Sequence, residues 1–146
     1  MKNPFSSPQK WIYKYIPKHE FADKTHLIPE FLFGCVIEFV ESEKCFERID
    51  YSVWPSHEKF ARELKPCYDF VKNVRPSLQQ SIDEELTEAY EKNPIIFPAD
   101  PFLVFERSKY SYEELYGRYR YLEENLKKQE QKYMKWIVKN IDHLWT

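Results

Sequence analysis

The last third of the chain carries a periodic pattern that limits the folds open to everything before it. Leu115, Tyr119, Leu122, Leu126, Gln129, Tyr133, Trp136 and Asn140 follow one another at alternating steps of four and three. Ile137, Ile141 and Leu144 widen that stripe at its far end. Such spacing lines one face of an α-helix. Ser111 with Glu114 three residues on is the reciprocal pairing that satisfies free amides at a helix start. The pattern therefore predicts one uninterrupted amphipathic helix over residues 111–146, roughly 50 Å long and longer than a small domain is wide. Either the rest of the chain packs along it, or the helix lends part of its stripe to a partner.

Upstream, Ile28, Phe31, Leu32, Cys35, Val36, Phe39 and Val40 form a second stripe. It predicts a core helix over 29–46 with Pro29 in its first turn and Glu30, Glu38, Glu41 and Glu43 on the outer face. Ser56 is placed to cap another helix, which buries Phe60, Ala61, Leu64, Cys67, Tyr68, Val71 and Val74. Pro66 should kink or split it, and Arg75 before Pro76 should end it. A further helix over 77–93 turns Leu78, Ile82, Leu86, Ala89 and Tyr90 inward.

Pro94, Pro98 and Pro101 interrupt an apolar strap over 94–110. Its Phe102, Leu103, Val104 and Phe105 are candidates for a short edge strand against an aromatic arm at 1–27. Within that arm, 11–16 reads as either a strand or a short helix. The fold class expected is mainly α: a single domain of about four helices, one of them long, with aromatic and Pro-rich extended segments packed across them. Its core is expected to hold Phe31, Leu32, Val36, Phe39, Val40, Phe60, Leu64, Tyr68, Val71, Leu122, Leu126, Tyr133 and Ile137.

Composition narrows the function classes. Two glycines against ten prolines leave no room for Gly-rich phosphate loops or dinucleotide fingerprints. A net charge of −2 gives no bulk attraction to nucleic acid or anionic membrane. Cys35, Cys45 and Cys67 are scattered and odd in number, the pattern of reduced thiols rather than of a disulfide framework or zinc finger. No leader-like or membrane-spanning apolar run stands out, so the expectation is a soluble intracellular protein.

Candidate chemistry is sparse. His19, Asp23 and His26 would converge only on a helix, and His57 with Glu58 begins a zincin motif without its second histidine. No metal, cofactor or catalytic residue is expected, and an enzyme would need a composite site drawn from distant residues. Lys128, Lys132, Lys135 and Lys139 make a basic stripe that could follow phosphates, but lysines late in a helix also answer its macrodipole. Nucleic acid is therefore the weaker partner. Asp83, Glu84, Glu85, Glu88 and Glu91 form an acidic face that could enter a DNA-binding groove of another protein. With Trp145, these residues are the candidate partner-binding surface.

Three segments carry a resemblance. IPKHEFADKTHLIPEFLFGCVIEFVESE, WPSHEKFARELKPCYDFVKNVRP and LEENLKKQEQKYMKWIVKNIDHLWT are similar to small proteins of tailed bacteriophages whose function is not assigned. Phe39, Val40, Glu41 and Glu43 match the first element of that group. Ala61, Leu64, Tyr68, Arg75 and Pro76 match the second, and Leu144, Trp145 and Thr146 the closing one. The resemblance implies a phage origin, with the host cytoplasm as the place of action and the virion as the alternative, and supplies no catalytic residue. The function expected is a non-enzymatic phage protein that binds a host or phage protein, foremost a host factor such as a defence or nucleic-acid enzyme. The alternative is a minor virion or assembly component that self-associates through the long helix.

Overall fold

A computed structural model describes residues 12–15, 24–93 and 110–144 of the chain, which are mainly helical and contain no strand. The helices are α1 (Ile12–Tyr15), α2 (Lys24–Ile37), α3 (Cys45–Arg48), α4 (Pro55–Asp69), α5 (Arg75–Lys92), α6 (Tyr112–Lys139) and α7 (Ile141–Leu144). Two π-helical turns interrupt them: π1 (Glu38–Ser42) after α2, and π2 (Phe70–Val74) between α4 and α5. The chain divides into two compact units, Met1–Lys72 with Glu130–Thr146, and Asn73–Gln129. The expected strap at 94–110, save Tyr110, and its strand at Phe102 to Phe105 lie outside the described residues. In the arm, 12–15 is a single helical turn.

The first unit holds the main core. Leu32, Cys35, Val36 and Phe39 are buried as the stripe predicts, and Phe60, Leu64, Cys67 and Val71 face them from α4 and π2. Phe33 and Phe70 lie off the predicted stripes and are buried too, edge to face at 5.7 Å. Phe70 also stacks on Tyr133 of α6 at 4.6 Å, and Phe39 meets Phe60 at 6.3 Å. Aromatic pairs in such geometries add to the area they bury. Phe31, Val40, Tyr68 and Tyr133 of the expected core are half-buried.

Several boundaries differ from the sequence reading. α2 begins at Lys24, so Pro29 lies inside the helix, and Ile28 is 54 % exposed rather than buried. The helix expected to run to residue 46 ends at π1, where the Glu43 amide donates to the Glu38 carbonyl at 2.9 Å. This wider turn inserts one residue into the 3.6-residue spacing. Glu38, which the sequence pattern had facing solvent, is buried all the same: it lies one turn after Gly34, on the face that Tyr15 covers. Lys44 then turns left-handed (φ 54°, ψ 48°) and stops the run.

The α4 start is made by Pro55 in its first turn with Trp54 as the capping residue, so Ser56 is not the cap. Pro66 is carried within α4. Nor does Pro76 end the helix: π2 precedes it, and Pro76 sits in the first turn of α5, where a missing N–H costs least.

One buried polar group organises the first unit. The Glu38 carboxylate is only 8 % exposed, and its Oε1 accepts from Lys14 Nζ at 3.1 Å and Tyr15 Oη at 3.2 Å. Burial pushes its pKa up, but hydrogen bonds from Ser42, Lys14 and Tyr15 outweigh that and hold it below the ordinary value. Burial and the Glu38 hydrogen bond raise the Tyr15 phenol to about 12. Gly34 makes room for this contact, because a Cβ there would stand 2.7 Å from the Tyr15 ring.

In the second unit, α5 and the first part of α6 bury Ala89 and Leu115. Leu78, Ile82, Leu122 and Leu126 are half-buried, whereas Leu86 and Tyr90, expected inside, are 41 % and 51 % exposed. The predicted cap forms: the Ser111 amide donates to Glu114 Oε2 and the Glu114 amide to Ser111 Oγ, both at 3.2 Å. The tail helix is not uninterrupted. It breaks at Asn140, whose side-chain Nδ2 donates to the Trp136 carbonyl at 2.9 Å, the local competition that makes asparagine poor in helix interiors. α7 follows and buries Leu144.

Candidate interaction surfaces

The outer face of α5 is built by helical spacing alone. Pro76, Gln79, Gln80, Asp83, Glu84, Thr87, Glu88 and Glu91 recur at steps of three and one and line an open trough of about 560 Å³. Gln80 Nε2 donates to Glu84 Oε1 at 2.9 Å, and Thr87 Oγ1 donates to the Asp83 carbonyl at 2.8 Å. Lys92 Nζ stands 2.7 Å from Glu88 Oε1. That hydrogen bond, and then the lysine charge, hold the Glu88 carboxyl below its ordinary value.

Of the five predicted acids, four share this face. Glu85 does not: it is turned to Arg118 of α6, with Oε1 2.6 Å from Nε. Asp83, Glu84 and Glu91 are exposed and have no cation partner among the described residues. Trp145 lies outside the described residues.

The predicted basic residues Lys128, Lys132, Lys135 and Lys139 are all exposed, but they do not act as one stripe. Lys132 and Lys139 line two hollows of the first unit, while Lys128 and Lys135 line neither. One hollow, about 370 Å³, is bounded by Glu63, Pro66, Lys132, Tyr133 and Trp136. The other, about 270 Å³, is bounded by Ser56, Lys59, Phe60, Glu63, Trp136, Lys139, Asn140 and His143. They share Glu63 and Trp136, so they form one groove between α4 and the end of α6.

Trp136 is held on two sides. Its Nε1–H donates to Glu63 Oε2 at 2.8 Å, and its ring stacks on Phe60 at 5.5 Å and 14°. Lys59 Nζ lies 3.9 Å from the other Glu63 oxygen. His143 leans on Phe60 at 5.0 Å and meets His57 edge to face at 5.7 Å. Sequence reading missed this groove. It treated His57 only as half of a metal motif and Phe60 and Trp136 only as packing residues.

Other candidates resolve simply. His26 is exposed and its Nδ1 lies 3.4 Å from Thr25 Oγ1, while His19 and Asp23 fall outside the described residues. Among the described residues no three His, Cys, Asp or Glu side chains are placed to share a metal ion. The three cysteines are free and buried, and burial pushes Cys35 to about 11 and Cys67 to about 12. A thiol held protonated at neutral pH is a poor nucleophile. No helix among the described residues is long and apolar enough to cross a membrane. Compared with protein-family models, with curated proteins and with solved structures, the chain matches none of them.

Proposed function

We propose that this chain is a non-enzymatic binding protein that engages a basic surface of another protein through the outer face of α5. The observation that carries the reading is the run of Asp83, Glu84 and Glu91, three exposed carboxylates without a cation among the described residues, on one helical face. Uncompensated charge of one sign favours encounter with the opposite sign and sets orientation. Gln79 and Gln80, one turn before the acids, and Thr87 among them add hydrogen-bonding groups to the same face. The similarity to small phage proteins makes a host factor the partner of choice, a defence or nucleic-acid enzyme whose groove normally holds phosphates, and the host cytoplasm the place of action.

The test is capture from host lysate by the tagged protein, beside an Asp83→Asn, Glu84→Gln, Glu91→Gln variant. The wild type is expected to retain one host protein at equal stoichiometry, and the variant to lose it with an unchanged melting temperature. Equal capture by both proteins would sink the reading. A second reading, self-association as a minor virion or assembly component, rests on Tyr121 and Val138, exposed on α6. Light scattering that returns a closed oligomer would favour it.

A further inference from the structure

We propose that the groove between α4 and the end of α6 binds a nucleotide unit, with the phosphate at its Lys59–Lys139 end and the base against Trp136. The two ends of the groove differ in chemistry. Pro66 and Trp136 give one end apolar walls, beside a Tyr133 ring that is stacked on Phe70 and capped by Lys132 Nζ at 5.1 Å, while Lys59, Lys139, Asn140, Ser56 and His143 give the other end cations and hydrogen-bond donors. A ligand matched to both is planar and aromatic at one end and anionic at the other. Stacking on an aromatic ring with a lysine at the neighbouring phosphate is how proteins hold single nucleotides without reading their sequence.

The spacing supports the match. Lys132 and Lys139 lie four residues before and three after Trp136, so both stand on its helix face, one turn to either side. The indole is already fixed by Phe60 and Glu63, so a ligand would find an ordered platform. Glu63 is the one carboxylate in the groove among the described residues. Its oxygens face the Trp136 N–H and the Lys59 ammonium, which makes it a positioning residue for the indole. Three lysines against this single engaged acid make the groove locally cationic in a chain whose net charge is −2.

The phosphate can belong to a free nucleotide or to a single strand, and the experiment separates these sources. The full chain, labelled with nitrogen-15, is titrated with adenosine monophosphate, a short oligo(dA), adenosine and inorganic phosphate, following the Trp136 indole N–H, identified by its loss in Trp136→Phe. A saturable shift with the monophosphate or the oligonucleotide is expected, tighter than with adenosine or phosphate alone. Saturation by the oligonucleotide only would assign the site to a strand, and saturation by both to the nucleotide unit itself. In Lys59→Ala/Lys139→Ala the affinity should fall by about tenfold or more, as for loss of a charge-assisted hydrogen bond. Both lysines are exposed, so this variant keeps its melting temperature. No saturable shift with either phosphate ligand, a shift that persists in the double variant, or adenosine or phosphate binding as tightly as the monophosphate would each overturn the proposal.

Discussion

Glu38 shows how one residue can sit against its sequence pattern and still be stable. A carboxylate taken out of water is costly unless charge and hydrogen bonds replace the solvent. Here Lys14, Tyr15 and Ser42 supply them, and their combined effect exceeds the burial penalty, so the folded-state pKa lies below the ordinary value. A carboxyl whose pKa is depressed on folding adds stability that is complete above its unfolded pKa and is lost as pH falls through the folded one. Glu38→Gln should therefore destabilise the protein at neutral pH by on the order of 1 kcal/mol, a modest figure because Lys14 is largely in solvent. The gap between variant and wild type should narrow as pH falls below the ordinary glutamate range and close below the depressed folded-state value. Urea melts of both proteins across that range read it directly, and a gap that stays constant with pH would mean that ionised Glu38 is not what the contact needs.

At the scale of the element, what was legible in the sequence is what local spacing determines. The Ser111–Glu114 cap, the buried faces of α2 and α4 and the existence of a long closing helix all follow from residues within a few turns of one another. The π turns do not. Nor does the burial of Glu38, which comes from Lys14 and Tyr15, 24 and 23 positions earlier. Phe33 is buried because Phe70, far away in sequence, covers it, which no periodicity in α2 announces. The groove was illegible for the same reason: Glu63 and Trp136 are 73 positions apart.

The break after π1 has a local cause with a measurable cost. Lys44 adopts a left-handed conformation that disfavours any residue with a Cβ and that helix ends usually give to glycine. Lys44→Gly should remove that strain and raise stability by up to about 1 kcal/mol, less the extra chain entropy of glycine. A higher denaturation midpoint with an unchanged slope is the expected result, and a lower midpoint would show that the Lys44 side chain contributes more than its conformation costs.

For the whole molecule, the described residues of the two units differ in how much they bury. Leu32, Phe33, Val36, Phe39, Phe60, Leu64, Phe70 and Ile137 anchor the first, whereas among the described residues the second fully buries only Ala89 and Leu115. Regions with few buried apolar contacts open at lower free energy than the global unfolding. Amides of α5 and of the first half of α6 should accordingly exchange with deuterium well before those of α2 and α4, despite the cap at Ser111 and the Glu85–Arg118 pair. The acidic face lies on that less stable unit and the Trp136 groove on the more stable one. A basic partner bound at Asp83, Glu84 and Glu91 should then slow exchange most in α5, by mass action on the closed state. A nucleotide bound in the groove should instead protect α4 and the end of α6 and leave α5 unchanged. Uniform protection by either ligand would mean that the two units open together, and would remove the basis for treating the two surfaces as independent.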